Sequence, residues 1–179
     1  TTEAEILALS MRLAGAGKQA GLTEADVMSI AAAMSSVGIE AEAGGSAMSV
    51  TMKRIAKEVE TGGDKLGTFA KVAGMSSEQF TTAWGENAAG ALSMFVAGLA
   101  DTSHMGMSAS LVLDELGING LREADALVRM SGAQGLMNDA LGLGNKSYAE
   151  NIALLTEAEA RYATTESQIK MAGNAIKDA

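Results

Sequence analysis

Apolar residues recur at helical spacing along most of the chain, and short glycine-containing segments interrupt them. Four of these segments place an apolar residue after the glycine and an oxygen-bearing side chain after that: Gly21-Leu22-Thr23, Gly38-Ile39-Glu40, Gly74-Met75-Ser76 and Gly117-Ile118-Asn119. Glycine tolerates the left-handed conformation that ends a helix, and a side-chain oxygen can cap the amides that begin the next one. The pattern predicts helices and no strands, with the helices at residues 3–19, 24–37, 42–60, 64–73, 77–84, 88–101, 108–116, 120–130, 133–142 and 147–179.

The junction at residues 74–79 shows how one helix is predicted to end and another to begin. Ser76 with Gln79 three positions later has the form of a capping box. Connections of about three residues make consecutive helices turn sharply and pack on each other. We therefore expect an all-α fold, a multi-helix array of short glycine-capped helices followed by a long helix that forms a coiled coil. Its predicted parts are an N-terminal helical hairpin repeat at 1–62, a compact helical core domain at 63–146 and the start of the long helix at 147–179.

Composition narrows the class of protein. The chain has no proline, only 3% aromatic residues, 12 Met and 21 Gly, so its helices should meet through small residues and methionine. A formal net charge of -9 argues against a general nucleic-acid binder, and we interpret Lys53, Arg54 and Lys57 as a solvated helix face. The absence of cysteine excludes disulfides and thiolate metal sites. No signal peptide is visible, and both ends read as cuts within helical patterns, so we expect a piece of a longer chain.

The most apolar stretch is "AAGALSMFVAGLA" at 88–100. Its small residues would suit a pair of membrane helices, but spanning a bilayer takes about 20 apolar residues. We therefore expect a buried core helix, and we expect Phe80 and Trp84, one helical turn apart, to begin the same core.

Candidate chemistry is sparse. The segment "GAGKQ" at 15–19 lacks the first glycine and the Ser/Thr of a phosphate loop. "GLGNKS" at 142–147 lacks the last glycine of a dinucleotide loop, and we interpret it as a glycine stop before a capped helix. His104, the only histidine, lies near Asp101 and Ser103, but adjacency in sequence is not triad geometry. We expect no enzyme, no cofactor and no metal site.

The predicted helix at 147–179 carries the clearest periodicity. Large apolar residues fall at a strict seven-residue interval from Tyr148 onward, and a mostly small row follows three positions behind it. The large row continues as the predicted self-association seam, Leu155, Tyr162, Ile169 and Ile176. The alternative is a single amphipathic helix that packs on its own domain. The length of the helix favours a coiled coil.

Three stretches of the chain are distinctive in their order and wording: "AGMSSEQFTTAWGENAAGALSMFVAGLA" from Ala73, "LDELGINGLREADALVRMSG" and "GNKSYAENIALLTEAEARYATTESQIKMAGNAI". In these stretches the chain resembles the core region of phage tail tape measure proteins. The telling pieces are the glycine-capped helix that leads to Trp84, the turn at 116–122 and the entry into the long last helix. The upstream stretch "GLTEADVMSIAAAMSSVGIEAEAGGSAM" also resembles the family's repeats of capped helices.

The resemblance implies a structural protein of the virion, made in the host cytoplasm and located in the lumen of the tail tube. Such proteins set the length of the tail during assembly and leave it before DNA enters the host. The implied partners are further copies of the chain, as a trimer through the C-terminal helix, the tail tube protein, tail-tip or baseplate proteins and tail assembly chaperones. No specific nucleic acid is implied, and membrane contact is expected only at ejection.

Two other classes of function stay open at this stage. One is a helical signalling or adaptor module, although such proteins should show long uninterrupted heptads rather than four glycine stops. The other is a membrane-active or secreted helical effector, for which the apolar stretch at 88–100 is the motive.

Overall fold

The structure is a computed structural model, and it describes residues 2–146 and Glu150. In this part of the chain the helices are joined by turns and there is no strand, so the expectation of an all-α fold is confirmed for it. The helices are α1 (Glu3–Gln19), α2 (Glu24–Ser36), α3 (Ala41–Thr61), α4 (Leu66–Val72), α5 (Ser77–Glu86), α6 (Ala88–Gly98), α7 (Ala109–Glu115), α8 (Leu121–Ser131) and α9 (134–146), with a 3₁₀ turn at Ser103–Met105.

Side-chain caps explain where several helices begin. At α5, the Ser76 hydroxyl accepts from the Gln79 amide, and the Gln79 side chain accepts from the Ser76 amide, so the predicted capping box is present. The same reciprocal pair occurs at α2 between Thr23 and Asp26. At α6 the Asn87 side chain accepts from the Gly90 amide at 2.9 Å. These starts are determined locally, by residues within three positions of each other.

The four glycine segments share one backbone geometry. Positive φ angles of 81, 67, 72 and 78° occur at the glycines in positions 21, 38, 74 and 117. At the α4–α5 junction, the Met75 amide donates to the Ala70 carbonyl at 2.9 Å and the Gly74 amide donates to the Lys71 carbonyl at 3.0 Å. The same pair of hydrogen bonds recurs at the other three junctions. Each pair occupies carbonyl groups that the end of a helix would otherwise leave without a partner.

The helices of unit Thr1–Gly144 share one hydrophobic core. α3 packs against both α1 and α8. Helices from the predicted hairpin repeat at 1–62 and from the predicted core domain at 63–146 therefore contribute to the same hydrophobic core. The fully buried Phe69, Phe80 and Phe95 come from α4, α5 and α6, and the rings of Phe69 and Phe95 are 5.2 Å apart between centroids. Trp84 is also buried, with its ring 6.2 Å from that of Phe80. The predictions of a buried helix at 88–100 and of a shared core with Phe80 and Trp84 are therefore confirmed.

The prediction of a glycine stop at 142–147 is wrong for the residues that the structure describes. α9 continues through Gly142 and Gly144 to residue 146 instead of ending at 142. A glycine inside a helix costs only about 1 kcal/mol relative to alanine, and burial of Met137 and Leu141 in the core outweighs that cost. Gly144 also lies against Ser29 of α2, where a Cβ would overlap the Ser29 hydroxyl.

The second unit, Asn145–Ala179, is described only at residues 145, 146 and 150. Lys146 and Glu150 are there in contact, at 4.0 Å between the ammonium nitrogen and a carboxylate oxygen. The predicted seam of Leu155, Tyr162, Ile169 and Ile176 lies outside the described residues.

Candidate functional site

His104 lies in the 3₁₀ turn after α6 and is exposed. Its Nε2 atom is 3.2 Å from the carbonyl oxygen of Lys71. The Asp101 carboxylate instead accepts from the hydroxyl and from the amide of Ser103, and these hydrogen bonds hold the pKa of Asp101 below its ordinary value. The geometry is that of a turn held by an aspartate, in which the imidazole contacts a helix end. It does not resemble a charge-relay triad.

Two arginines occupy positions that the sequence did not indicate. Arg129 of α8 donates to the carbonyl oxygens of Val37 and Gly38, at 3.1 and 3.4 Å, where α2 ends. The guanidinium group of Arg54 lies over Gly117, where α7 ends, and its Nε atom is buried without a hydrogen-bond partner. A cation near the C-terminus of a helix interacts favourably with the helix dipole. The expected solvated face therefore holds for the exposed Lys53 and Lys57 but is wrong for Arg54, which is half-buried.

The surface formed by the described residues includes two shallow grooves. The first, of about 400 Å³, is lined by residues of α3 and α8 that include Glu40, Glu42 and Glu123. The second, of about 430 Å³, lies between α4, α6 and α9. Its lining includes Ser93 and Asn138, and the Ser93 hydroxyl donates to the side-chain oxygen of Asn138. Across the described residues, no group of three or more histidine or acidic side chains could hold a metal ion. In the first groove the Ser46 hydroxyl donates to the Glu123 carboxylate at 3.3 Å, and no histidine lines either groove.

The segment "GAGKQ", rejected above as a phosphate loop, forms the last turns of α1. Gly17 lies against Val27, where a Cβ would crowd the valine methyl group. The glycine therefore serves close packing of α1 on α2. Within the part of the chain that the structure describes, none of the helices is long and apolar enough to cross a membrane.

α1 is apolar on two opposite sides. Leu9, Leu13 and Ala16 are buried on the inner side, which faces the core. The other side, here named the outer face of α1, is exposed and consists of Ala4, Leu7, Ala8, Met11, Ala14 and Gly15. A contiguous exposed apolar patch on a protein surface can mark an interaction site. The outer face is therefore a candidate interaction surface.

Comparison with known proteins returned no match among family models, curated proteins or solved structures.

Proposed function

We propose that the chain is part of a phage tail tape measure protein, a structural protein that fills the tail tube, sets tail length during assembly and takes part in genome ejection. The observation that carries the proposal is the order of elements on which the resemblance depends. The turn at Gly74-Met75-Ser76 leads through α5 to the buried Trp84. The turn at 116–122 joins α7 to α8 and buries Ile118.

The inventory of side chains is compatible with a structural role. In the turn at Asp101 and His104, the aspartate accepts from Ser103 and the imidazole contacts a backbone carbonyl. The buried core is built largely from alanine, leucine and methionine, which allow helices to approach closely. A tape measure needs helical packing and length, and it needs no active site in this segment.

Under this proposal, copies of the chain associate through the seam of the last predicted helix, as a trimer, inside the tail tube of the virion. The tube protein, the tail tip or baseplate and the assembly chaperones are its further partners. We expect the 179-residue chain to form oligomers that dissociate when Leu155 and Ile169 are both replaced by aspartate, because the charges would interrupt the seam. Equal sedimentation of the two proteins would show that the seam is wrongly assigned.

A loss-of-function experiment separates this proposal from its rivals. An in-frame disruption of the gene that encodes the chain should leave filled heads without tails of normal length in electron micrographs of lysates. Mass spectrometry should detect the chain in purified virions and should no longer detect it in virions that have ejected their DNA. Normal tails after disruption would contradict the proposal. Recovery of the chain from the culture medium or from liposomes would favour an effector, and recovery from a cytoplasmic receptor complex would favour an adaptor.

A further inference from the structure

We propose that the outer face of α1 pairs with the outer face of a second copy of this chain, in an antiparallel helix pair. The pairing is independent of the seam in the last predicted helix and goes beyond the proposed function. It assigns a second self-association surface to the compact unit.

The outer face of α1 is exposed to solvent. The side chains of Leu7 and Met11 are 58% and 73% exposed, and Met28 of α2 is 47% exposed. The Met28 sulfur lies 3.0 Å from the hydroxyl oxygen of Ser10, so Met28 borders α1 at that residue. A Cβ added at Gly15 would meet no atom within 4 Å, which shows that this end of the face is open. Leu7 and Met11, one helical turn apart, are thus two large apolar side chains exposed on the same face.

The residues of the outer face are spaced as in a helix–helix contact. Ala4, Leu7, Met11 and Ala14 follow one another at intervals of three and four residues, which is the spacing of a helix–helix seam. Glu5 and Arg12 fall between Ala4 and Gly15 in the sequence but lie off the face. The Glu5 carboxylate accepts from the Ser35 hydroxyl of α2, and the Arg12 side chain lies against Gly45 of α3. The outer face therefore fits a second helix along most of its length.

The charges at the two ends of α1 favour a second copy of the chain as the occupant of the outer face. Glu3 lies in the first turn and Lys18 in the last turn, and both are exposed. In an antiparallel pair centred near Met11, Lys18 of each copy would lie opposite Glu3 of the other. The two helix dipoles would also oppose each other favourably. Self-complementarity of this kind is what a two-fold symmetric interface requires.

In the antiparallel pair, large residues of one outer face would lie against small residues of the other. With the two-fold axis near Met11, Leu7 of one copy would lie over Ala14 and Gly15 of the other. Small residues opposite large ones let two helices approach closely and pack without gaps. The surface is small for a protein interface, so we expect a weak dimer that forms as concentration rises.

The test uses the 179-residue chain with Leu155→Asp and Ile169→Asp in every protein, which removes the predicted seam and leaves the outer face of α1 as the surface under test. Sedimentation velocity should show a concentration-dependent shift from monomer to dimer. Met11→Asp should raise the dissociation constant at least tenfold, because the dimer would bury a charge near its axis. Leu121→Asp is the matched control, since Leu121 of α8 is 88% exposed and lies outside the face. A monomer at all concentrations, or an equal effect of the two substitutions, would overturn the proposal.

A charge exchange tests the antiparallel arrangement separately. Lys18→Glu should raise the dissociation constant roughly threefold or more at low salt, because it replaces an attraction at the rim with a repulsion. Adding Glu3→Lys to the same chain should restore association, with melting curves to establish that both proteins are folded. A double variant that associates as weakly as Lys18→Glu alone would exclude this pairing. In the chain with the intact seam, oligomers that resist Met11→Asp but not the seam substitutions would likewise assign association to the seam alone.

Discussion

Replacing Gly74 with valine tests whether the junctions depend on the left-handed conformation of their glycines. Gly74 has a φ of +72°, and a Cβ built on it would meet no atom within 4 Å. A substitution therefore introduces backbone strain and no clash. The left-handed conformation costs a residue with a Cβ roughly 1–2 kcal/mol, and more when the side chain is β-branched. For a chain of this length, 1 kcal/mol lowers the melting temperature by about 2–4 °C.

Gly142 provides the matched control for Gly74. It is also exposed, and a Cβ there would likewise meet nothing within 4 Å, but it lies inside α9 without a positive φ. Gly142→Ala should therefore raise stability by roughly 0.5–1 kcal/mol, whereas Gly74→Ala should lower it. Thermal unfolding followed by circular dichroism measures both changes. An unchanged or higher melting temperature for Gly74→Val would refute the assignment of the junction as a left-handed helix cap.

Three further substitutions follow from individual contacts. Gly98→Ala should destabilise the fold by about 1–3 kcal/mol or more in urea unfolding, because the new Cβ would overlap the backbone carbonyl of Val72. Hydrogen bonds from the Thr2 amide and hydroxyl hold the pKa of Glu5 below its ordinary value. This contribution to stability is present above the unfolded pKa and is lost as pH falls through the folded pKa. An NMR titration of Glu5 should show the lowered pKa, and Thr2→Ala should reverse it only in part, because alanine keeps the backbone amide that is the largest cause. His104→Ala should leave unfolding and tail assembly unchanged, because the imidazole is exposed and its hydrogen bond is to a backbone carbonyl oxygen. Loss of tails from this substitution would contradict that assignment.

The features predicted correctly from sequence are those determined by near neighbours. The capping box at Ser76 needs only Gln79, and the position of Gly74 follows from the apolar residue behind it. Helix boundaries at such junctions fall within a few residues of the prediction. The predicted glycine stop at 142–147 is wrong because burial of Met137 and Leu141, a tertiary effect, keeps α9 continuous through Gly142 and Gly144.

Features that depend on residues distant in the sequence could not be predicted from it. Arg129 contacts Gly38 across about 90 positions, and Arg54 reaches Gly117, so neither contact has a local signal. The outer face of α1 had a signal in principle, since apolar residues occur on both sides of that helix. Which side faces the core is determined by the packing of α1 on α2 and α3, and this becomes visible only in the fold.

The measurement that tests the central proposal most directly is the length of the tail after a change in the length of the chain. An in-frame duplication of residues 145–179 adds about 35 residues, a multiple of seven that keeps the seam in register. As a helix rising 1.5 Å per residue, it should lengthen the tail by about 50 Å in electron micrographs of purified virions. Virions that carry His104→Ala should keep the original length. Tails of unchanged length in virions that contain the longer chain would contradict the proposal that this protein measures the tail.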